Sequence, residues 1–223
     1  MADGLRVVLE IGPKGRRVVA GAYEWPGLER WGKDEDDAVE KLSSYVPRYA
    51  GVAERAGMAD AFARQGQVEV VERYTGNSST DFWGIAHVTS ETEREVLSAD
   101  GLERRLTLVQ MLWGQFDDTA ARVSEELALG PRGGGRSRDE IVRHVYASER
   151  HNFWRKVGLR AEEGVRLSPE ELAAYRAQYL DLIRTYNSEG RPARAWPIQF
   201  LVRRTGQHVM DHGWEMEDRD LGA

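Results

Sequence analysis

The sequence predicts an α+β protein, because the pattern of its 223 residues changes about half-way along the chain. Up to about Val88 the apolar residues come in short β-rich runs, which are typical of strands. From about Leu102 onward they recur with the period of amphipathic helices. We therefore expect two domains: a small α+β unit over residues 1–95 and an antiparallel four-helix bundle over residues 96–223.

The N-terminal half begins with a predicted β-hairpin. Its two strands are the runs Leu5–Ile11 and Arg17–Tyr23, which are joined by a turn rich in glycine and proline at Gly12–Gly15. After Pro26 and Gly27, the acidic stretch Asp34–Asp37 opens a helical pattern that reaches Tyr45. Carboxylates in this position suit the positive end of the helix dipole, so we interpret the stretch as a helix start.

Two further strands are predicted before the helical half begins. They cover residues 68–74 and 82–88, on either side of the polar turn at residues 76–79. With the hairpin and the helix, these strands complete the predicted α+β domain.

Four long amphipathic helices are predicted in the second half. The first covers about residues 102–127. Ser137, followed by Glu140 three residues later, has the form of a capping box that begins the second helix. Ser168 and Glu171 repeat this form at the start of the third helix. The fourth helix spans about residues 197–218. Such a set of helices is typical of a bundle, in which facing helices commonly build metal sites.

The composition argues against several functional classes. A net charge of −6, with acidic and basic residues intermixed, argues against a nucleic-acid partner, which would require a basic surface. The absence of cysteine excludes disulfides, thiolate metal ligands and a cysteine nucleophile. No signal peptide and no run of about 18 apolar residues is found, so we expect a cytoplasmic protein without a membrane partner.

Two histidines near the C-terminus, His208 and His212, lie four residues apart on one predicted helix. Such residues share a helix face about 5–6 Å apart, which lets two imidazoles reach one ion at roughly 2.0–2.1 Å. The third candidate ligand is His144, on the interior stripe of the second helix. His151 lies roughly 10 Å further along the axis, so only one of these two can be a ligand. We expect His87, in a predicted strand, to be an ordinary packed or exposed histidine. The alternative for the pair itself is two polar residues with one hydrogen bond each.

The helical half, about residues 100–220, resembles the DinB/YfiT-like family of four-helix proteins. The matching segments are residues 139–144 and 203–215, because family members carry one histidine on the second helix and an H-x-x-x-H pair on the last. The resemblance implies that His144, His208 and His212 bind a divalent metal ion. Zinc, nickel, iron and copper all suit imidazole ligands, so the identity of the metal stays open. The resemblance also implies transfer of a low-molecular-weight thiol to an electrophile.

Residues 5–55 resemble the HicB-like fold, in which a hairpin is followed by the segments Trp25–Leu28 and Gly32–Ala38 and then by a helix. The resemblance implies contact with a toxin partner. HicB-like antitoxins usually continue into a DNA-binding segment, whereas here a predicted bundle follows. A HicB-type antitoxin is therefore one alternative function. A non-enzymatic partner-binding protein with a structural or vestigial metal site is another. We also expect a homodimer, since the bundle and an edge strand could each pair with a second copy.

The main hypothesis is a metal-dependent enzyme that acts on a small-molecule substrate by thiol transfer or hydrolysis. Because the chain has no cysteine, the thiol would come from outside the protein. Glu149, Asp211 and Glu215 could orient imidazole N–H groups or act as a general base, and solvated carboxylates are the alternative. Three arginines could hold an anionic part of the substrate, with surface positions as the alternative: Arg143, Arg203 and Arg204.

Overall fold

The computed structural model describes residues 3–130, 134–162 and 167–222 and shows a mixed α+β protein. The strands are β1 (Asp3–Ile11), β2 (Val18–Gly21), β3 (Glu29–Gly32) and β4 (Gln65–Thr75). The α-helices are α1 (Glu35–Arg55), α2 (Ala59–Ala63), α3 (Ser78–Trp83), α4 (Ala99–Arg122), α5 (Arg138–Ser148), α6 (Pro169–Ser188) and α7 (Ile198–Asp218). Two 3-10 turns, at Thr92–Arg94 and Trp154–Val157, and a π turn at Glu149–Phe153 lie between them.

The four strands form one mixed sheet in the order β3-β2-β1-β4. β1 and β2 pair antiparallel, which confirms the predicted hairpin. β4 pairs parallel with β1, and the connection between them passes through α1 and α2. The sequence did not predict β3, because its four residues, Glu29–Gly32, are too few and too polar to show an alternating pattern.

The predicted start of α1 is confirmed. The side chain of Asp34 accepts a hydrogen bond from the backbone N–H of Asp37 at 2.9 Å, which satisfies one of the free donors of the first turn. The helix continues beyond Tyr45 to Arg55, through Pro47. It lies against β2 and β3, so that one face of the sheet is covered.

The strand predicted over residues 82–88 is wrong. Asn77 caps a short helix there, α3, through a capping box with Thr80, and Gly84 ends it in a left-handed conformation with φ 68°. The chain beyond Gly84 is irregular, because the backbone N–H groups of His87 and Val88 donate to the buried carboxylate of Glu10 at 3.0–3.1 Å. The carboxylate of Glu10 therefore accepts the backbone hydrogen bonds that a neighbouring strand would otherwise accept.

The four long helices of the second half are confirmed as elements. Both predicted capping boxes are present, at Ser137 with Glu140 and at Ser168 with Glu171. α7 contacts α4, α5 and α6, so it lies among the other three helices. Their arrangement as a four-helix bundle stays a prediction, and so does the division into two domains at residue 95. Among the described residues, one hydrophobic core includes side chains from both halves.

Ion pairs join α7 to the sheet. Arg203, only 2% exposed, donates to Glu93 at 2.6 Å and also pairs with Glu29 of β3. Arg30, the next residue of β3, donates to Asp211 of α7 at 2.8 Å. Because neighbouring residues of β3 hold α7 at two points two turns apart, the rotation of this helix is well defined.

No helix in the described ranges is long and apolar enough to cross a membrane.

Candidate metal centre

The three predicted ligands come from two helices. His144 lies on α5, just over one turn beyond the capping box that begins this helix. His208 and His212 lie one turn apart on α7. α5 and α7 contact each other, and Ile141 and Val145 of α5 are fully buried in the core. The packing of these apolar neighbours turns His144 toward α7.

The structure brings all three imidazoles together. The Nε2 atoms of His144 and His208 are 3.3 Å apart. One ring nitrogen from each of His144, His208 and His212 can be chosen so that all three lie within 4.8 Å of one another. The ring centroids form a nearly equilateral triangle, with sides of 4.9, 4.9 and 5.2 Å. The three imidazoles would hold a divalent ion between them.

The distance between the Nε2 atoms of His144 and His208 fits two ligands of one metal ion, and it also fits a hydrogen bond between the two rings. Two nitrogens at roughly 2.0–2.1 Å from a tetrahedral ion are about 3.3 Å apart, which follows from the tetrahedral angle. The separation between His144 and His208 has this value. All three histidines are partly buried, so the site is neither fully solvated nor closed to a small molecule. The donor set, which contains only imidazole nitrogens, suits a transition metal rather than magnesium or calcium.

A carboxylate orients the third ligand. Glu215 accepts a hydrogen bond from Nδ1 of His212 at 2.7 Å, and its other oxygen accepts one from Arg219 at 2.7 Å. Burial raises the pKa of Glu215, but these two partners outweigh that effect and lower it, so the group is a carboxylate. Because a carboxylate can only accept, Nδ1 of His212 is the donor in this contact, which leaves Nε2 as the nitrogen that would bind a metal.

Two of the three clustered histidines, His144 and His208, are neutral at pH 7. Burial, with a smaller contribution from His212, lowers the pKa of His144 to about 4. The same two causes lower the pKa of His208 to about 2. An imidazole must be neutral to bind a metal, so neither residue has a proton to lose at pH 7.

One side of the site is covered by an aromatic ring. Phe153, from the π turn after α5, lies with its ring centroid 5.6 Å from that of His208. Nδ1 of His208 is buried and has no hydrogen-bond partner within the described part of the chain. The helical pattern predicted Phe153 on the second helix, and its contact with His208 depends on the π turn that replaces the end of that helix. The sequence did indicate that Glu215 could orient His212, because the two residues are three apart on the same helix face.

The other predicted acids lie elsewhere. Asp211 pairs with Arg30 at 2.8 Å. Glu149 is 1% exposed and forms a bidentate pair with Arg176 at 2.8 and 3.0 Å. Neither carboxylate is therefore available to the histidine cluster as a base.

The predicted arginines separate into two groups. Arg203 and Arg204 are buried, at 2% and 5% exposure, so the surface alternative is wrong for both. Arg203 is occupied by Glu93 and Glu29, and Arg204 donates to Gln207. Arg143 is exposed on α5.

The two remaining histidines lie outside the cluster. His151 is exposed in the π turn after α5, because the α-helix ends at Ser148. His87 is partly buried in the irregular segment after α3, where burial lowers its pKa to about 4. Neither residue belongs to the group of three imidazoles whose nitrogens lie within 4.8 Å of one another.

No protein-family model matches this chain. Comparisons with curated proteins and with solved structures give no match either. The resemblances to the DinB/YfiT-like and HicB-like families therefore stay predictions that rest on the residues quoted above.

Proposed function

We propose that the protein is a divalent-metal-dependent enzyme of the DinB/YfiT-like type, which acts on a small molecule by thiol transfer or hydrolysis. One observation carries the proposal. Three imidazoles, brought together from positions up to 68 residues apart, converge on a partly exposed site. Imidazole nitrogens are common ligands of divalent transition metals, and the carboxylate behind His212 is the kind of support that such ligands commonly have.

A bound metal would lower the pKa of a coordinated water or thiol toward neutrality. The residues of the chain prepare and orient the imidazoles for the metal. His144 and His208 are ready to bind without losing a proton, and Glu215 holds the ring of His212 in one tautomer. Phe153 keeps water from one side of His208, so the substrate approaches from the opposite side.

Thiol transfer is favoured over hydrolysis by the state of the nearby acids. Hydrolysis commonly uses a protein carboxylate as a general base, but Asp211 and Glu149 are occupied by arginines. A thiol ionises near pH 8.5 even when it is free, so it needs less help than water does. Because the chain contains no cysteine, a low-molecular-weight thiol would be the second substrate.

The test combines metal analysis with an activity assay on tag-free protein. After reconstitution with zinc, nickel or iron, we expect about one ion per chain and metal-dependent consumption of a small thiol by an electrophile such as 1-chloro-2,4-dinitrobenzene. Both should be lost in His144→Ala and in the double variant His208→Ala, His212→Ala. His151→Ala is the matched control and should keep both. Failure to bind any of the three ions would contradict the proposal.

A second candidate is a partner-binding protein whose metal site is only structural. It is favoured by a cluster of exposed aromatic side chains on one side of the sheet: Trp31, Phe82 and Trp83, at 41%, 62% and 60% exposure. Exposed aromatic patches commonly mark interaction surfaces. On this alternative, metal binding raises the melting temperature, but the loaded protein consumes no thiol and hydrolyses no ester.

A further inference from the structure

A large groove lies apart from the histidine cluster. Its volume is about 1330 Å³, and it lies between α4, α5 and α6. None of the three metal-ligand candidates lines it. Pockets for small molecules usually have volumes of roughly 300–1,000 Å³, so this groove has room for a ligand of that size.

The groove and the histidine cluster use different faces of α5. Val142, Arg143 and Tyr146 line the groove, whereas His144 faces α7. On an α-helix each residue is turned by about 100° from the previous one, which places His144 roughly 130° from the centre of the groove face. A ligand in the groove would therefore not reach the metal site, and the inference does not depend on the proposed function.

The groove remains open because small residues line its walls. Ala147 lies on the α5 side, and Ala173 and Ala177 lie on the α6 side. The floor is apolar and buried, and it is formed mainly by Trp113, Leu172 and Leu180. Such a floor suits an alkyl chain or an aromatic ring, because burying apolar surface there removes it from water.

Most polar groups deep in the groove form ion pairs or hydrogen bonds with one another. Arg176 is paired with Glu149 and with Asp117, and Asp117 also accepts a hydrogen bond from Tyr146 at 2.9 Å. The indole N–H of Trp113 is buried without a partner among the described residues.

The mouth of the groove carries an unpaired cation. Arg143 is exposed and makes no hydrogen bond or ion pair with a described residue. The carboxylate of Glu140, one turn earlier, is engaged by Ser137 in the capping box. The acids of the groove wall are engaged as well: Asp139 pairs with Arg138, and Glu171 accepts from the backbone of Ser168.

We propose that this groove binds a linear alkyl carboxylic acid, with the chain on the Trp113 floor and the carboxylate at Arg143. The apolar floor selects the chain, and the unpaired guanidinium selects an anionic head group. An alcohol with a chain of the same length keeps the apolar contact with the floor and loses the ionic contact with Arg143. A quaternary ammonium of the same length meets repulsion from Arg143.

The test is calorimetric titration of the full chain with dodecanoate, dodecanol and dodecyltrimethylammonium, the two ionic compounds below their micellar concentrations and the alcohol below its solubility limit. Dodecanoate should bind most tightly and the ammonium most weakly. Removing two methylenes from the acid should weaken binding by about 16-fold, since each buried methylene contributes about fourfold. Equal binding of all three compounds would overturn the head-group assignment.

Two variants locate the site. Arg143→Gln should weaken dodecanoate binding about two- to fivefold, the range for an exposed ion pair, and leave dodecanol binding unchanged. Ala177→Phe fills the groove from one wall and should weaken both. Arg64→Gln, at an exposed arginine that directly follows α2 outside the groove, is the matched control and should change neither. Unaltered binding in Ala177→Phe, or no binding of dodecanoate to the unmodified protein, would overturn the proposal.

Discussion

Nδ1 of His212 donates a hydrogen bond to Glu215 at 2.7 Å, within a single turn of α7. The carboxylate is held in turn by Arg219, at 2.7 Å. This chain of contacts fixes both the tautomer and the orientation of the imidazole. Hydrogen-bonded carboxylates of this kind typically support the histidine ligands of metal sites.

The contact predicts that Glu215→Gln weakens metal binding by about 10- to 100-fold. The amide is neutral and can present its NH₂ group to the ring, so His212 loses the charge that stabilises its tautomer. Competition with a chromophoric chelator would measure the affinity. Glu126→Gln, at an exposed acid on another segment, is the control and should leave the affinity as it was. An unchanged affinity in Glu215→Gln would show that this contact plays no part in metal binding.

A metal ion should stabilise the folded protein. Because a ligand that binds only the native state lowers its free energy, a concentration of 100 times the Kd adds about 2.7 kcal/mol. Thermal unfolding with and without zinc or nickel would show the shift in Tm. The double variant His208→Ala, His212→Ala should show no shift. A shift of the same size in that variant would place the ion elsewhere.

Removal of Arg203 should be costly. Arg203→Met would leave Glu93, at 0% exposure, without its cation and Glu29, at 3% exposure, with only Arg204 at 3.9 Å, and losing one partner of a buried pair costs about 3–5 kcal/mol. Denaturant unfolding would measure this loss. Arg184→Met is the matched control, because Arg184 pairs with Glu103 at the surface and should cost less than about 1 kcal/mol. Comparable losses in the two variants would contradict the expected role of burial.

His87 should make stability depend on pH. Its pKa is lowered from 6.5 to about 4, first by burial and then by Arg204 and Lys156. As the pH falls below about 6.5, the unfolded chain takes up a proton that the folded chain does not bind until about pH 4. The free energy of unfolding should therefore decrease as the pH falls from 6.5 to 4. In His87→Asn the decrease should be smaller, and identical pH profiles would contradict this assignment.

Features set by neighbouring residues could be predicted from the sequence. The starts of three helices, α1, α5 and α6, could be predicted from a few residues each. The capping side chain accepts a hydrogen bond from a backbone N–H in the first turn of its own helix, and these caps are Asp34, Ser137 and Ser168. The four-residue spacing of His208 and His212 places them on one face wherever the helix lies. A capping box and a helical period depend on contacts over three or four residues, and a sequence contains these directly.

The remaining features depended on contacts between distant residues. The apolar run at residues 82–88 has strand composition, yet the carboxylate of Glu10 takes its backbone donors and no strand forms. Arg203 resembles a surface residue until the fold brings Glu29, 174 residues away, beside it. By itself the sequence determined the α+β class, the hairpin, the five long helices and the three candidate ligands. The tertiary structure alone decided that the imidazoles meet, which charges are buried and where the groove opens, because these depend on how separate elements pack.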